Sequence, residues 1–187
     1  MADEIWKPGN MLYPLPVVMV SLARPGERPN IITVAWAGTI CSDPVMLSIS
    51  VRKERYSYPI LCDTKEFVVN LVNKDLVYAT DYCGVKSGRD VDKFNEMQLT
   101  ALPVEGFTAP AIAESPLSLA CRVTDIRELG SHVMFLANVE KVRVDGRYMD
   151  ANGKFDLNST GLVAYSHGEY FLLGEKLGKF GFSVKKS

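Results

Sequence analysis

Along much of the chain, apolar and polar residues alternate with a period of two. The clearest case is residues 45–51, where Val45, Leu47, Ile49 and Val51 alternate with Met46, Ser48 and Ser50, the mark of a half-buried strand. Residues 15–22 predict a strand before it, closed by the turn-rich ARPGERPN, and residues 31–37 predict a second. A short helix is expected around residues 58–62, a strand over 67–72 and a helix over 74–82. Residues 84–115 read as irregular, with one short helix near 91–96.

Two long alternating runs follow. Leu117, Leu119, Cys121 and Val123 share one side of residues 117–126, and Val133, Phe135, Ala137 and Val139 share one side of residues 133–144. The turn-like ELGSH between them predicts an antiparallel hairpin. A last short strand is expected at 170–173. The expected architecture is mainly β: six or seven strands joined by short turns, with two or three short helices. Regular βα alternation is missing, which disfavours a doubly wound parallel sheet. A closed or nearly closed antiparallel barrel fits better, because closure removes exposed strand edges. One domain over residues 1–187 is expected, with loose ends at 1–10 and 183–187, where Lys185, Lys186 and Ser187 read as a solvated tail.

Composition narrows the function classes. The 187 residues are 47% hydrophobic and 23% charged, as in ordinary globular chains. Lys+Arg number 21 and Asp+Glu 22, for a net charge of −1, so no nucleic-acid partner is expected. No apolar run is long enough to predict a membrane helix, and the opening MADEIWKPGN is unlike an export signal. The cysteines, Cys41, Cys62, Cys83 and Cys121, form no CxxC pair, and neither His132 nor His167 adds a metal spacing. No metal site is expected, and reduced thiols in the cytoplasm are the expectation.

Four stretches could carry chemistry. NIITVAWAGTICSDP (30–44) sets Ala35, Ala37 and Gly38 around Trp36, with Thr33, Thr39 and Cys41 close by. Small side chains would let a flat aromatic ligand approach the backbone; a core strand with a buried Trp is the plain alternative. SVRKERYSY (50–58) gathers Arg52, Lys53, Arg55 and several hydroxyls at a helix start, which suits a phosphate as well as it suits a solvated loop. CGVKSGRDVDKF (83–94) is glycine-rich and basic but has neither P-loop nor GxGxxG spacing. In GSH (130–132), His132 opens a strand after a turn, at a barrel rim. There it could donate to a ligand, act as an acid, or be structural. GxSxG is absent, and no Cys is visibly matched to a His and an Asn, so hydrolase chemistry finds little support.

Taken in order, PLPVVMVS, NxxTxAWxGxxCSDP, SVRxxRYS, EFVVNL, CGxxSGRxxDKF and GSHxxF resemble the flavin reductase-like, flavoredoxin-type proteins of the FMN-binding split-barrel group. The resemblance runs from Tyr13 to Gly181. It implies a six-stranded antiparallel Greek-key barrel and a homodimer with one FMN per subunit near the dimer interface. On this chain it implies that the segment from Asn30 to Cys41 lines the isoalloxazine, with Thr33, Ala35 and Trp36 in direct contact. Ser50, Arg52, Lys53, Tyr56 and Ser57 would cradle the ribityl phosphate, Cys83, Gly84, Ser87 and Lys93 would close over the cofactor, and His132 would sit near the ring as the catalytic candidate. Arg55-Tyr56-Ser57 stands where many relatives have Arg-x-Thr, which leaves open which hydroxyl meets the phosphate.

Two functions then compete. One is a reductase passing electrons from NADH or NADPH through FMN to free flavin, a ferric chelate or a redox-protein partner. The other is an FMN electron carrier that never meets a nicotinamide. A ligand-binding relative without redox turnover is a third.

Overall fold

A computed structural model describes residues 3–184; the expected tail Lys185-Lys186-Ser187 lies outside the described residues. Among the described residues, twelve strands and three α-helices occur in chain order: β1 (Leu15–Pro16), β2 (Val18–Leu22), β3 (Asn30–Val34), β4 (Ala37–Ser42), β5 (Val45–Val51), α1 (Ser57–Thr64), β6 (Glu66–Leu71), α2 (Val77–Val85), α3 (Lys93–Glu96), β7 (Ala101–Leu102), β8 (Ala111–Ile112), β9 (Leu117–Leu129), β10 (His132–Val144), β11 (Val163–Ser166) and β12 (Glu169–Leu172).

The main sheet has seven strands in the order β3-β2-β6-β9-β10-β5-β4, every pair antiparallel. Its two edges are β3 and β4, which follow each other in the chain with only Ala35 and Trp36 between. Three virtual bonds span about 10 Å at most, so the edges must lie side by side and the sheet curls into a split barrel. Counting β3 and β4 as one bent strand gives the six expected from the sequence. The run 31–37, expected to be one strand, is therefore two. The chain leaves one edge at Val34 and joins the other at Ala37, with the Ser50 amide donating to the Trp36 carbonyl at 2.8 Å across the crossing.

The barrel interior holds Val20, Leu22, Ile49, Phe67, Cys121 and Phe135, among others. A second core lies outside the wall, where Met19, Ile31, Leu76, Ala79, Cys83 and Phe94 pack α2 and α3 against β2 and β3. This double coverage explains why all five residues of β2 are buried, although each strand turns alternate side chains to opposite faces. β5 behaves as its pattern predicts at Leu47, Ile49 and Val51, whereas Val45 is exposed at the strand's outer end.

β9 and β10 form the predicted hairpin, turning at Gly130 and Ser131, with His132 opposite Leu129. A small sheet, β1-β11-β12, flanks the barrel. Pro16 lacks an N–H, so β1 belongs at an edge, where it lies. β11 was not expected from the sequence, nor were the two-residue strands β7 and β8 inside the stretch read as irregular.

Candidate functional site

Where the barrel seam opens, three hollows join. The first, about 430 Å³, is lined by Ile32, Thr33, Ala35, Trp36, Ser50, Arg52, Arg55, His132 and Tyr165, among others. The second, about 100 Å³, shares Ile32 and Arg55 with it and adds Asn30, Tyr56, Ser57, Cys83, Gly84, Ser87, Gly88 and Lys93. The third, about 480 Å³, shares Asn10, Trp36 and Ser50 with the first and is walled by the N-terminal strap, residues 9–13. The structure therefore gathers all but two of the site residues expected from the sequence. Cys41 lines none of the three; it sits on β4 with its thiol toward the Asp43 carbonyl at 3.4 Å. Lys53 also stays outside, paired with Glu128 at 2.9 Å on the surface.

The second hollow is an anion corner. α1 starts there, and Tyr56 at its N-cap makes no side-chain cap; the Tyr58 N–H donates to the Arg55 carbonyl at 2.9 Å and Pro59 has no N–H, which leaves the Ser57 N–H and the positive end of the helix dipole facing the corner. The buried Ser57 hydroxyl accepts from the Asn30 amide at 2.9 Å, which leaves its own proton to donate. Lys93 is only 3% exposed, and its ammonium donates to the carbonyls of Ile31 at 2.6 Å and Cys83 at 2.7 Å. No carboxylate pairs with it among the described residues. Burial pulls its pKa down to about 8, the nearby Arg55 guanidinium acts in the same direction, and the Cys83 thiol opposes both. Cys83 itself is pushed up to about 11 by burial, so it is a neutral thiol rather than a nucleophile.

Gly84, in the last turn of α2, and Gly88, in the loop after it, let those segments approach closely. A Cβ on Gly84 would stand 3.2 Å from the Thr33 Cβ, and one on Gly88 would stand 2.0 Å from the Asn30 Oδ1. The Thr33 hydroxyl donates to the Thr80 carbonyl at 2.5 Å, which ties β3 to α2.

The first hollow is a flat slot. Trp36 is 38% exposed, so it is not the core tryptophan of the alternative reading. Its ring is parallel to that of His132, with 6.0 Å between centroids and 4° between planes. Burial first, and then the Arg52 guanidinium, holds the His132 pKa below its ordinary value, so the ring is neutral at pH 7. Ser131 Oγ lies 2.8 Å from its Nδ1. His167 stands apart, in the turn between β11 and β12 with its ring against Tyr13 at 4.5 Å.

A family model described as a flavin reductase-like domain matches residues 10–171. The chain belongs to the flavin reductase-like family. It is similar to the flavoredoxin of Desulfovibrio vulgaris (Miyazaki F), with 30% identity and a TM-score of 0.90 over 98% of this chain and 100% of that one. The flavoredoxin from Methanosarcina acetivorans is 28% identical, with a TM-score of 0.87 over 98% and 100% of the two chains. An NADPH-flavin oxidoreductase of Streptomyces viridifaciens is 26% identical over 146 residues, 77% of this chain and 71% of that protein.

For this family member, sequence reasoning named Arg55 in the basic stretch that suits a phosphate without carrying it into the cradle, and it left Tyr165 and Tyr170 out of the site. Arg55 borders both the slot and the anion corner and reaches the Gly84 carbonyl at 3.4 Å. It stood in view in the RKERYS run, but spacing alone does not say which cation faces inward. Tyr165 and Tyr170 enter the slot from β11 and β12, and the Tyr170 hydroxyl donates to Asp81 of α2 at 3.0 Å. The signal for β11 is the four-residue VAYS, too short for periodicity to separate strand from loop. Among the described residues there is no cluster of three or more His, Cys, Asp or Glu that could hold a metal ion, and no helix long and apolar enough to cross a membrane.

Proposed function

We propose that this chain binds one FMN per subunit of a homodimer and passes electrons from NADH or NADPH to an acceptor: free flavin, a ferric chelate or a redox-protein partner in the cytoplasm. The observation that carries the reading is a buried lysine without a carboxylate, beside an uncapped helix start, at the end of a slot faced by Trp36 and His132. A ribityl phosphate suits the corner: Lys93, Arg55, the Ser57 hydroxyl and the Ser57 N–H at the start of α1 are all donors, and its charge relieves the crowding of two cations. An isoalloxazine suits the slot, where Ala35 lets the ring approach the backbone and Trp36 offers a planar face. FMN supplies the hydride and electron chemistry when bound; the chain's work is to hold and orient it.

The neutral His132 imidazole has one donor and one acceptor, enough to hydrogen-bond the ring edge or a docked nicotinamide amide. The third hollow has no charged side chain in its lining and leaves room for that nicotinamide beside Trp36. The deciding experiment mixes holoprotein with NADH or NADPH in the absence of oxygen. Rapid bleaching of the flavin is expected, and His132→Ala is expected to slow it about tenfold while FMN stays bound. A lowered melting temperature with an unchanged rate would make His132 structural.

The likeness to two flavoredoxins favours a second reading, a carrier reduced only by another redox protein. It takes over if neither nicotinamide bleaches a flavin that dithionite does reduce.

The two neighbouring cations separate cradle from surface. Arg55→Ala is expected to weaken FMN about tenfold, the loss of one charged hydrogen bond, and to leave riboflavin affinity nearly unchanged. Lys53→Ala, which breaks only the exposed pair with Glu128, is expected to change neither. Equal losses for both ligands in Arg55→Ala would remove that residue from the phosphate corner.

A further inference from the structure

The chain exposes 11810 Å². A compact monomer of its mass, 20.7 kDa, exposes about 8,900 Å², so the chain exposes about 2,900 Å² more than a lone globule needs. Two segments contribute to the excess. The C-terminal arm, residues 173–184, bares Leu177, Phe180 and Phe182, and the N-terminal strap with the residues before it bares Ile5, Trp6, Met11 and Leu12. The arm stands off its own body: a gap of about 1170 Å³ lies between it and residues 158–162. The strap forms the wall of the third hollow, and its Asn10 reaches the slot.

We infer that two copies of this chain exchange their C-terminal arms, each arm laying Leu177, Phe180 and Phe182 on the other copy's strap at the mouth of the site. This rests on the homodimeric reading above and names the surfaces that make it. A two-fold axis brings patch and counter-patch together twice in one operation, which is how isologous interfaces close. Half of the excess area on each copy amounts to about 2,900 Å² in all, inside the roughly 2,000–5,000 Å² of permanent assemblies. Phe, Trp, Met and Leu at such density suit the core of an obligate interface better than a wetted surface. The arm's role in the site follows from the strap's position: the partner's arm pins the wall of the third hollow, so assembly and cofactor retention are coupled.

The test compares three proteins by sedimentation over a wide concentration range: wild type, an arm variant (Leu177→Ser, Phe180→Ser, Phe182→Ser) and a strap variant (Trp6→Ser, Leu12→Ser). All the substituted side chains are exposed in a single copy, so a lone chain's fold should tolerate the changes, and circular dichroism verifies that it does. Wild type is expected at the mass of two chains. Each variant is expected to dissociate at a concentration at least a hundredfold higher and to lose FMN several-fold more readily. A single-chain wild type overturns the proposal, as does an arm or strap variant that stays as tightly dimeric as wild type. Mass is read with and without FMN, so a wild-type dimer that ignores FMN would sink the cofactor reading and spare the arms. A monomer that binds FMN would do the reverse.

Discussion

Gly88→Ala is expected to weaken FMN binding by more than about a hundredfold and to lower the melting temperature by about 4–24 °C. A Cβ at this position would lie 2.0 Å from the Asn30 Oδ1, 2.5 Å from its Cγ and 3.0 Å from the Tyr56 Cδ1. Asn30 cannot swing aside into water, because it is 4% exposed and its amide is bonded to the Ser57 hydroxyl at 2.9 Å. Either the loop after α2 retreats or Asn30 moves and abandons Ser57 at the first turn of α1. Overpacking of this kind costs about 1–3 kcal/mol. A buried amide left without its partner costs about 1–3 kcal/mol more. A domain of this size loses about 2–4 °C per kcal/mol, which gives the expected range. The same displacement moves three donors of the anion corner together, and about 2.8 kcal/mol is already a factor of a hundred in affinity. Gly146→Ala is the control, since a Cβ there meets nothing within 4 Å. Gly88→Ala with unchanged melting and unchanged FMN affinity would show that the corner is not built around Asn30 and Ser57.

The loop's closeness could not be read from CGVKSGRDVDKF, whose two glycines look like ordinary loop punctuation until Asn30 is seen beneath one of them. What was legible had a period. β5 and the β9–β10 hairpin turn one face to the barrel interior and the other outward, so their alternation survives in the sequence. β2 and β3 are covered on both faces, by the interior and by α2, and burial on two sides erases that alternation. The break at Ala35 and Trp36 has no local cause at all. It is set by barrel closure, which brings strands far apart in sequence to the two sides of one seam.

The site shows the same division. Motif order placed the stretches 30–41, 50–57 and 83–93 together, and they do meet. Facing was another matter. Arg52 and Lys53 are neighbours in sequence, yet one borders the slot and the other pairs with Glu128 across the hairpin. Cys41 shares a strand with Ala37 and Gly38, but β4 carries it past the end of the hollows.

Lys93→Met is expected to cost FMN about a hundredfold in affinity and to abolish a proton uptake that accompanies binding in alkaline solution. The ammonium is buried, donates to two carbonyls of the chain and has a pKa of about 8 against an ordinary 10.5. A folded-state pKa below the unfolded one means that burial opposes the charged form. This cost is fully present below pH 8 and is relieved as pH rises from about 8 toward 10.5, so the group's contribution to apoprotein stability improves over that window. A phosphate dianion in the corner supplies the missing counter-charge and pulls the pKa back up. At pH 9 most copies of the apoprotein hold Lys93 neutral, whereas the complex holds it charged. Binding should therefore take up a sizeable fraction of a proton per site at pH 9 and almost none at pH 6.5. Titration calorimetry at pH 9 in two buffers of different ionisation enthalpy measures that uptake directly. Methionine keeps the length and apolar stem of the side chain but has no proton to gain, so the buffer dependence due to Lys93 should vanish along with the affinity. The loss of two hydrogen bonds to buried carbonyls is set against the removal of a buried, unpaired charge, so the variant's stability at pH 7 should stay near that of wild type. Riboflavin, which lacks the phosphate, should bind wild type without the uptake and should distinguish the two proteins little. If wild type binds FMN at pH 9 with no buffer dependence, or if Lys93→Met binds it as tightly as wild type does, the phosphate is not beside Lys93 and the corner must be assigned to Arg55 and the start of α1 alone.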